Sequence, residues 1–259
     1  MKYSLPNDLL FYCINLPRDR ERKSRIEQQA QELGLDITFI KAVDGRTDQT
    51  KDFDYTLQKG ILDWHGFSLS PPQIGCILSH RKCLEAFLKS KASYVVILED
   101  DAKFQKDSLE QIPTLLSLKS WDLIKLETRH KKLRGLPLKT LSGGQILHAS
   151  TKGDIGTTCL LYTKKGALKM LKTLDKLTLP IDVHIAHYAC KNLTVLDIHP
   201  PLVISDDQGI SSIRQPNVSP PKYRQKSFKK ALGQGLWSLF RTFKALLSTL
   251  KFHLYNLLP

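Results

Sequence analysis

Tyr94-Val95-Val96-Ile97-Leu98-Glu99-Asp100-Asp101 is an uninterrupted apolar run that ends on three carboxylates. A β-branched run with no polar alternation reads as a strand covered on both faces, the kind found inside a parallel sheet. In open α/β sheets the ligand crevice lies beyond the carboxyl ends of such strands. Adjacent carboxylates packed there repel one another and lose hydration unless a cation compensates. Oxygen ligands favour Mg²⁺ or Mn²⁺, and Mg²⁺ is commonly held by one or two carboxylates together with substrate phosphates. In an extended chain Glu99 and Asp101 face one side and Asp100 the other. The alternative is an acidic turn at a strand end with solvated charges, and the run alone does not separate the two.

On either side of this run, strand-like and helix-like patterns alternate. Residues 9–16 (LLFYCINL) form a second buried-type strand, which ends at Pro17 and a dense charged stretch over residues 18–23. Residues 24–33 continue as a helix stopped by Gly34, and residues 37–43 read as a strand that breaks at Asp44-Gly45. Residues 46–72 are polar with scattered aromatics and read as an irregular insertion. Ser70-Pro71-Pro72-Gln73 is a helix start with proline in the first turn, and the helix runs on through residue 88. After the acidic strand come a helix near residues 106–118, a strand at 121–126, a loop or hairpin over 129–150 and a strand at 157–163. A helix at 164–174, a short helix opened by Leu179-Pro180-Ile181-Asp182 and a strand at 193–199 complete the body. This alternation predicts an α/β domain over residues 1–215 with a mostly parallel central sheet flanked by helices. The prolines at 216, 220 and 221 mark a linker, residues 216–227, into a C-terminal helix over 228–259.

Hydrophobic residues make up 41% of the 259 and charged residues 25%, ordinary globular values. The net charge of +14 is not ordinary, and it is unevenly placed. No Asp or Glu occurs from Gln208 to Pro259, and the segment from Lys222 onward supplies eight of the fourteen excess charges. Within it, apolar residues at 228, 232, 236, 239, 240, 243, 246, 247, 250, 254, 257 and 258 make one helical stripe. Arg241, Lys244, Ser248 and Lys251 fall at the same steps on another face. A basic amphipathic helix carrying Trp237 and several Phe suits an anionic membrane interface, where each Lys or Arg adds about 1 kcal/mol of attraction. The alternative is a helix packed on the body or on a second subunit. Nucleic acid is disfavoured, because no base-stacking or groove-reading motif accompanies the charge. Five cysteines with no C-x-x-C pair read as reduced thiols rather than a disulfide framework or a structural zinc. No signal peptide and no spanning apolar run is recognised, so a cytoplasmic protein is expected.

The exit of the first strand offers Asn15 as a hydrogen-bonding group and Arg18 or Arg22 as phosphate partners. A solvated first helical turn explains the same charges. Neither G-x-G-x-x-G nor a P-loop occurs, which argues against a dinucleotide fold and a P-loop NTPase. Asp44-Gly45, where a second parallel strand ends, is either a ligand-facing carboxylate or a plain turn. His80 sits in a helix leading to the acidic strand, where an isolated histidine is more often structural. Asp182 opens a helix, as an N-terminal cap or as a general base beside a metal. His184 and His187 follow it, and a packing role suits them.

These pieces in this order resemble glycosyltransferase family 25, the bacterial lipopolysaccharide and lipooligosaccharide sugar transferases whose relatives include collagen galactosyltransferases. The segments that carry the resemblance are Ile14-Asn15-Leu16 with Arg22 downstream, Ala42-Val43-Asp44-Gly45 and Gly75-Cys76-Ile77-Leu78-Ser79-His80. Val96 to Ala102, the junction from Tyr162 to Ala167 and Leu179-Pro180-Ile181-Asp182 continue it, so that it spans roughly residues 9–213. The resemblance implies a GT-A-like fold, a nucleotide-sugar donor such as UDP-galactose, and inverting transfer to a glycolipid acceptor of the lipooligosaccharide or lipopolysaccharide core. It implies a divalent metal, Mn²⁺ or Mg²⁺, on Glu99 and Asp101. The donor would meet Asn15, Leu16, Arg22, Asp44, Gly45, His80 and Asp100, and Asp182 or, second, Asp154 would serve as base. The setting would be the inner face of the cytoplasmic membrane, reached through the C-terminal helix. The alternatives are a metal-dependent phosphohydrolase or nucleotidyltransferase using the same acids, and an inactive membrane-bound interaction protein.

Overall fold

A computed structural model describes residues 5–47, 69–151, 153–174, 179–187, 189–206 and 228–257, the last segment with side chains at 238–256. Most of the expected insertion (48–68) and the whole expected linker (216–227) lie outside the described residues. The elements in chain order are β1 (Leu9–Asn15), α1 (Arg20–Leu33), β2 (Ile37–Lys41), α2 (Pro71–Lys89), β3 (Tyr94–Glu99), β4 (Ala102–Phe104), α3 (Ile112–Ser117) and β5 (Leu123–Lys125). There follow β6 (Gly135–Thr140), β7 (Ile146–Ser150), β8 (Cys159–Thr163), α4 (Lys164–Leu174), α5 (Ile181–His187), β9 (Val195–His199), β10 (Val203–Ser205) and α6 (Phe228–Leu257).

Eight strands form one sheet in the order β2-β1-β3-β8-β5-β9-β7-β6, and β10 pairs with β4 in a small ribbon. Six of the eight point the same way, and β7 and β8 run against them. The α/β class expected from the alternation, with a mostly parallel sheet and helices on both faces, is therefore the class observed. The expected hairpin is β6–β7, with a register shift between Pro137 and Lys139. At β8 the strand expected near residues 157–163 reverses direction, an inversion that a run of apolar residues does not encode.

The two faces of β3 explain its unbroken apolar sequence. Val96 and Leu98 join a core with Ile26 of α1, Leu115 of α3 and Phe252 of α6. Val95 and Ile97 join a second core with Leu84 and Phe87 of α2, Met170 of α4 and Ile185 of α5. All four β3 side chains are fully buried, each stabilising the fold by about 1.5–3 kcal/mol through apolar burial. Helix α2 begins where the sequence marks it. Ser70 N–H donates to Gln73 Oε1 at 2.8 Å, and Pro71 and Pro72 occupy the first turn. Its entry packs directly on the chain beyond β2: a Cβ on Gly75 would lie 2.5 Å from the Val43 carbonyl oxygen. That close approach brings the Asp44-Gly45 turn to the mouth of the sheet.

Helix α6 packs on β6 and β7, with Ala245 and Phe252 buried in the β3 core. Arg241 is buried and lies against Gly153, whose positive φ of 63° and missing side chain make room for the guanidinium. Lys244 Nζ donates to the Lys191 carbonyl at 2.8 Å, and Asn256 Oδ1 accepts from Lys119 N–H at 2.8 Å. Between the two readings of this helix, its 241/244/245/252 side takes the body-packing role. Leu239, Phe243, Leu246, Leu250 and Leu254 of the apolar stripe stay exposed. All five cysteines are free thiols, as expected.

Candidate active site

The carboxyl ends of β1, β2 and β3 open into a cleft of about 660 Å³. Leu16, Arg22, Asp44, Gly45, His80, Glu99 and Asp100 line it. Asn15 reaches the same place by donating from Nδ2 to Asp100 Oδ2 at 2.8 Å. The sequence segments separated by up to eighty-five residues thus meet on one sheet edge, as parallel strands with short exits require.

The acidic triplet divides three ways. Glu99, the last residue of β3, keeps the parity of Val95 and Ile97 and points towards α2. Its Oε1 lies 3.3 Å from His80 Nε2 and 3.9 Å from Cys76 Sγ, and accepts from Thr157 Oγ1. Burial pushes this carboxyl up, but the hydrogen bond and charge of His80, with Thr157, hold it below its ordinary value. Asp100 has the opposite parity and points towards α1, where Arg22 Nη1 donates to it at 2.8 Å. Burial raises its pKa, with Arg22 and Asn15 opposing.

Asp101 departs from the expected alternation. Residues 100–101 form a turn into β4, so the pleat ends at Glu99 and Asp101 swings to the β4–β10 ribbon. There Ser205 Oγ donates to its Oδ2 at 2.6 Å, while Oδ1 is buried without a hydrogen bond. Burial and the charge of Glu99 push Asp101 up to about 6. Asp101 therefore does not stand beside Glu99 on one strand face, although each feels the other's charge.

A cation fits this arrangement. Glu99 repels Asp101, one Asp101 oxygen is orphaned, and the ligand atoms of Cys76, His80 and Glu99 lie within 4.8 Å of one another. Glu99, His80 and Cys76 would hold a divalent ion; Asp101, the second ligand expected from the sequence, is not part of that cluster. Cys76 was visible in the sequence only as part of GCILSH. Its spacing of four from His80, one helical turn, is the signal that places both on the Glu99 side of α2.

The two candidate bases lie apart. Asp182 is half-buried in the first turn of α5, where its Oδ1 accepts from Val183 N–H at 2.8 Å and its charge reaches Cys76. It therefore sits on the α2 side of the acidic site, and as the second residue of α5 it lies past the capping position expected of it. Asp154 is 3% exposed in the turn before β8, accepting from Thr128 Oγ1 and from Arg129 N–H at 3.1 Å. It borders a separate cleft closed by Arg241 and Lys244 of α6. His184 is buried and bonded to Thr173, the packing role expected of it. Glu127, just past β5, was not anticipated. It is 3% exposed, 3.5 Å from Lys125 Nζ, and lies over Gly156, whose φ of 119° and bare Cα leave room for the carboxylate. Burial, only partly offset by Lys125, pushes Glu127 up to about 7. Nothing in the local sequence LIKLETR separates such a residue from a surface glutamate.

Residues 9–185 match the family model described as "Glycosyltransferase family 25 (LPS biosynthesis protein)". A "Glycosyltransferase 25 family member" of Aedes aegypti is 32% identical over 184 residues, covering 67% of this chain and 30% of the relative. "Procollagen galactosyltransferase 1-B" of Xenopus laevis is 24% identical over 235 residues, covering 80% of this chain and 38% of the relative. "Inactive glycosyltransferase 25 family member 3" of Mus musculus is 32% identical over 124 residues, 44% of this chain and 21% of the relative. The chain thus spans about a third or less of the length of the Aedes and mouse relatives and under two-fifths of the Xenopus one.

Proposed function

Because the chain belongs to glycosyltransferase family 25, we propose that it is a metal-dependent inverting glycosyltransferase. In this reading it transfers a sugar, galactose from UDP-galactose, to a lipooligosaccharide or lipopolysaccharide core acceptor. Membership supports the GT-A-like fold and a nucleotide-sugar donor. The procollagen galactosyltransferase among the relatives supports galactose. The observation that carries the reading is Glu99, whose carboxylate gathers with Cys76 and His80 and lines the strand-end cleft together with Arg22, Asp44 and Asp100.

When bound, Mn²⁺ or Mg²⁺ would neutralise the negative charge of the leaving diphosphate. The chain's own residues do the positioning. Arg22 and Asn15 fix Asp100 in the cleft, where its carboxylate suits a ribose hydroxyl. Thr157 and His80 orient Glu99 towards the metal position. The Asp44-Gly45 turn, pressed on α2, closes the far wall. Inversion also needs a base on the acceptor side of the sugar. Asp182 is the first choice for it, because Asp154 is covered and already accepts from Thr128 and Arg129.

The test is transfer by Asp101→Ala and Asp182→Ala at saturating Mn²⁺. Each loses activity, Asp182→Ala by about 10²–10⁴-fold, the range of a general base. Near-wild-type transfer by either variant removes that residue's role. Release of UMP and galactose 1-phosphate from UDP-galactose without any acceptor would favour a phosphohydrolase, and formation of UTP and galactose 1-phosphate on adding pyrophosphate would favour a nucleotidyltransferase. Absence of UDP binding with metal would favour an inactive interaction protein, of which the mouse relative's name supplies a precedent.

A further inference from the structure

Helix α6 is set on the body with its sides reversed from those of an ordinary surface helix. A helix that packs on a domain turns its apolar stripe to the core and its charges to water. Here the buried side carries Arg241, Ala245 and Phe252, while Lys244 and Asn256 bind the backbone of Lys191 and Lys119. The outward side carries Leu239, Phe243, Leu246, Leu250 and Leu254 at steps of three and four, exposed by 69%, 59%, 54%, 58% and 53%. A continuous apolar stripe of this kind on an otherwise ordinary globular surface marks a docking face.

We propose that this stripe seats the protein on an anionic lipid surface, with α6 lying in the plane of the interface. Charge decides the occupant. The helix from Phe228 to Leu257 contains no acidic residue; of its basic residues Arg241 and Lys244 are turned to the body, and Lys251 stays exposed. Exposed Lys251 borders the stripe, and exposed Lys119 and Lys191 stand on the body where the helix is tied down. A second copy of a chain carrying +14 would meet the same basic rim and be repelled. Anionic headgroups would pair with the rim while the acyl region takes the leucines. No described helix is long and apolar enough to cross a membrane, so the helix rests on the surface. Docking would also hold the body at a membrane surface, where a lipid-linked acceptor is anchored. This last point rests on the proposed acceptor; the docking itself does not.

The test uses the full chain floated with vesicles of phosphatidylcholine alone and of phosphatidylcholine with phosphatidylglycerol. The wild type floats with the anionic vesicles, less so at high salt, and stays behind with the neutral ones. The double variant Phe243→Asp/Leu250→Asp, changed only at exposed positions, loses partitioning by about tenfold or more. Leu246→Gln/Leu254→Gln serves as a second variant should the first melt early. Equal flotation of wild type and folded variants overturns the proposal, as does equal flotation on both vesicle types. A wild type that ignores vesicles but elutes as a dimer broken by either variant assigns the stripe to a second copy instead. UDP binding with Mn²⁺ in solution is read in parallel and stays unchanged in both variants, which separates failure of the docking from failure of the transferase reading.

Discussion

At the scale of single residues, the acidic site is defined by burial more than by proximity. An Asp101 titrating at about 6, against an ordinary carboxylate near 3.8, binds a proton in the folded chain that the unfolded chain has released. Ionising it therefore works against folding, and the metal-free protein loses this contribution as the pH rises through about 6. Glu127, raised to about 7 from 4.5, extends the loss to higher pH. Melting the metal-free protein at pH 5.5 and pH 8 should show the fall, on the order of 1–3 kcal/mol. Asp101→Asn together with Glu127→Gln should flatten it, and Mn²⁺ should restore wild-type stability at pH 8. The assignments of Glu99 and Asp100 to opposite faces were legible, because β3 is extended up to Glu99. Asp101 leaves the face it would share with Glu99 in an extended chain, because residues 100–101 form a turn, the alternative that the run alone did not separate.

At the scale of elements, the site depends on close contacts between α2, α1 and the strand exits. Gly75→Ala puts a methyl 2.5 Å from the Val43 carbonyl and 2.7 Å from Gly45 N, both backbone atoms that cannot move without the turn. A destabilisation of about 1–3 kcal/mol is expected from overpacking there, with weaker UDP binding from displacement of Asp44, measurable by chemical denaturation and calorimetry. Arg22→Ala leaves Asp100 buried without its cation, so both stability and donor affinity should fall, while Arg22→Lys restores part of each. Most elements were legible because their signals are local: the proline-led start of α2, Gly34 at φ 67° closing α1, and the pattern of α4. The reversal of β8 was not legible. It is set by its neighbours β3 and β5, whose pairing it completes from both sides.

At the scale of the whole molecule, α6 belongs to the body. Phe252 is buried among β3-side core residues, so Phe252→Ala should destabilise the entire domain by about 3–5 kcal/mol. Deleting residues 228–259 should lower the melting temperature and expose apolar surface on β6 and β7, and dye binding would reveal it. A truncation would therefore mix loss of the proposed membrane contact with lost stability. Substitutions on the exposed stripe separate the two effects.

The amino-acid sequence by itself determined the α/β class, the strand that carries the acids, residues that line the cleft at the strand ends and a C-terminal helix with two unlike faces. Each of these follows from short-range periodicity, from capping chemistry or from motifs in a recognisable order. Only the tertiary structure decided that Asp101 turns to Ser205, that Cys76 and His80 close on Glu99, that Glu127 is buried beside Lys125, and which face of α6 meets the body. Those outcomes depend on what lies opposite each residue in space, and burial and pairing across the sheet join positions whose separation along the chain carries no local pattern.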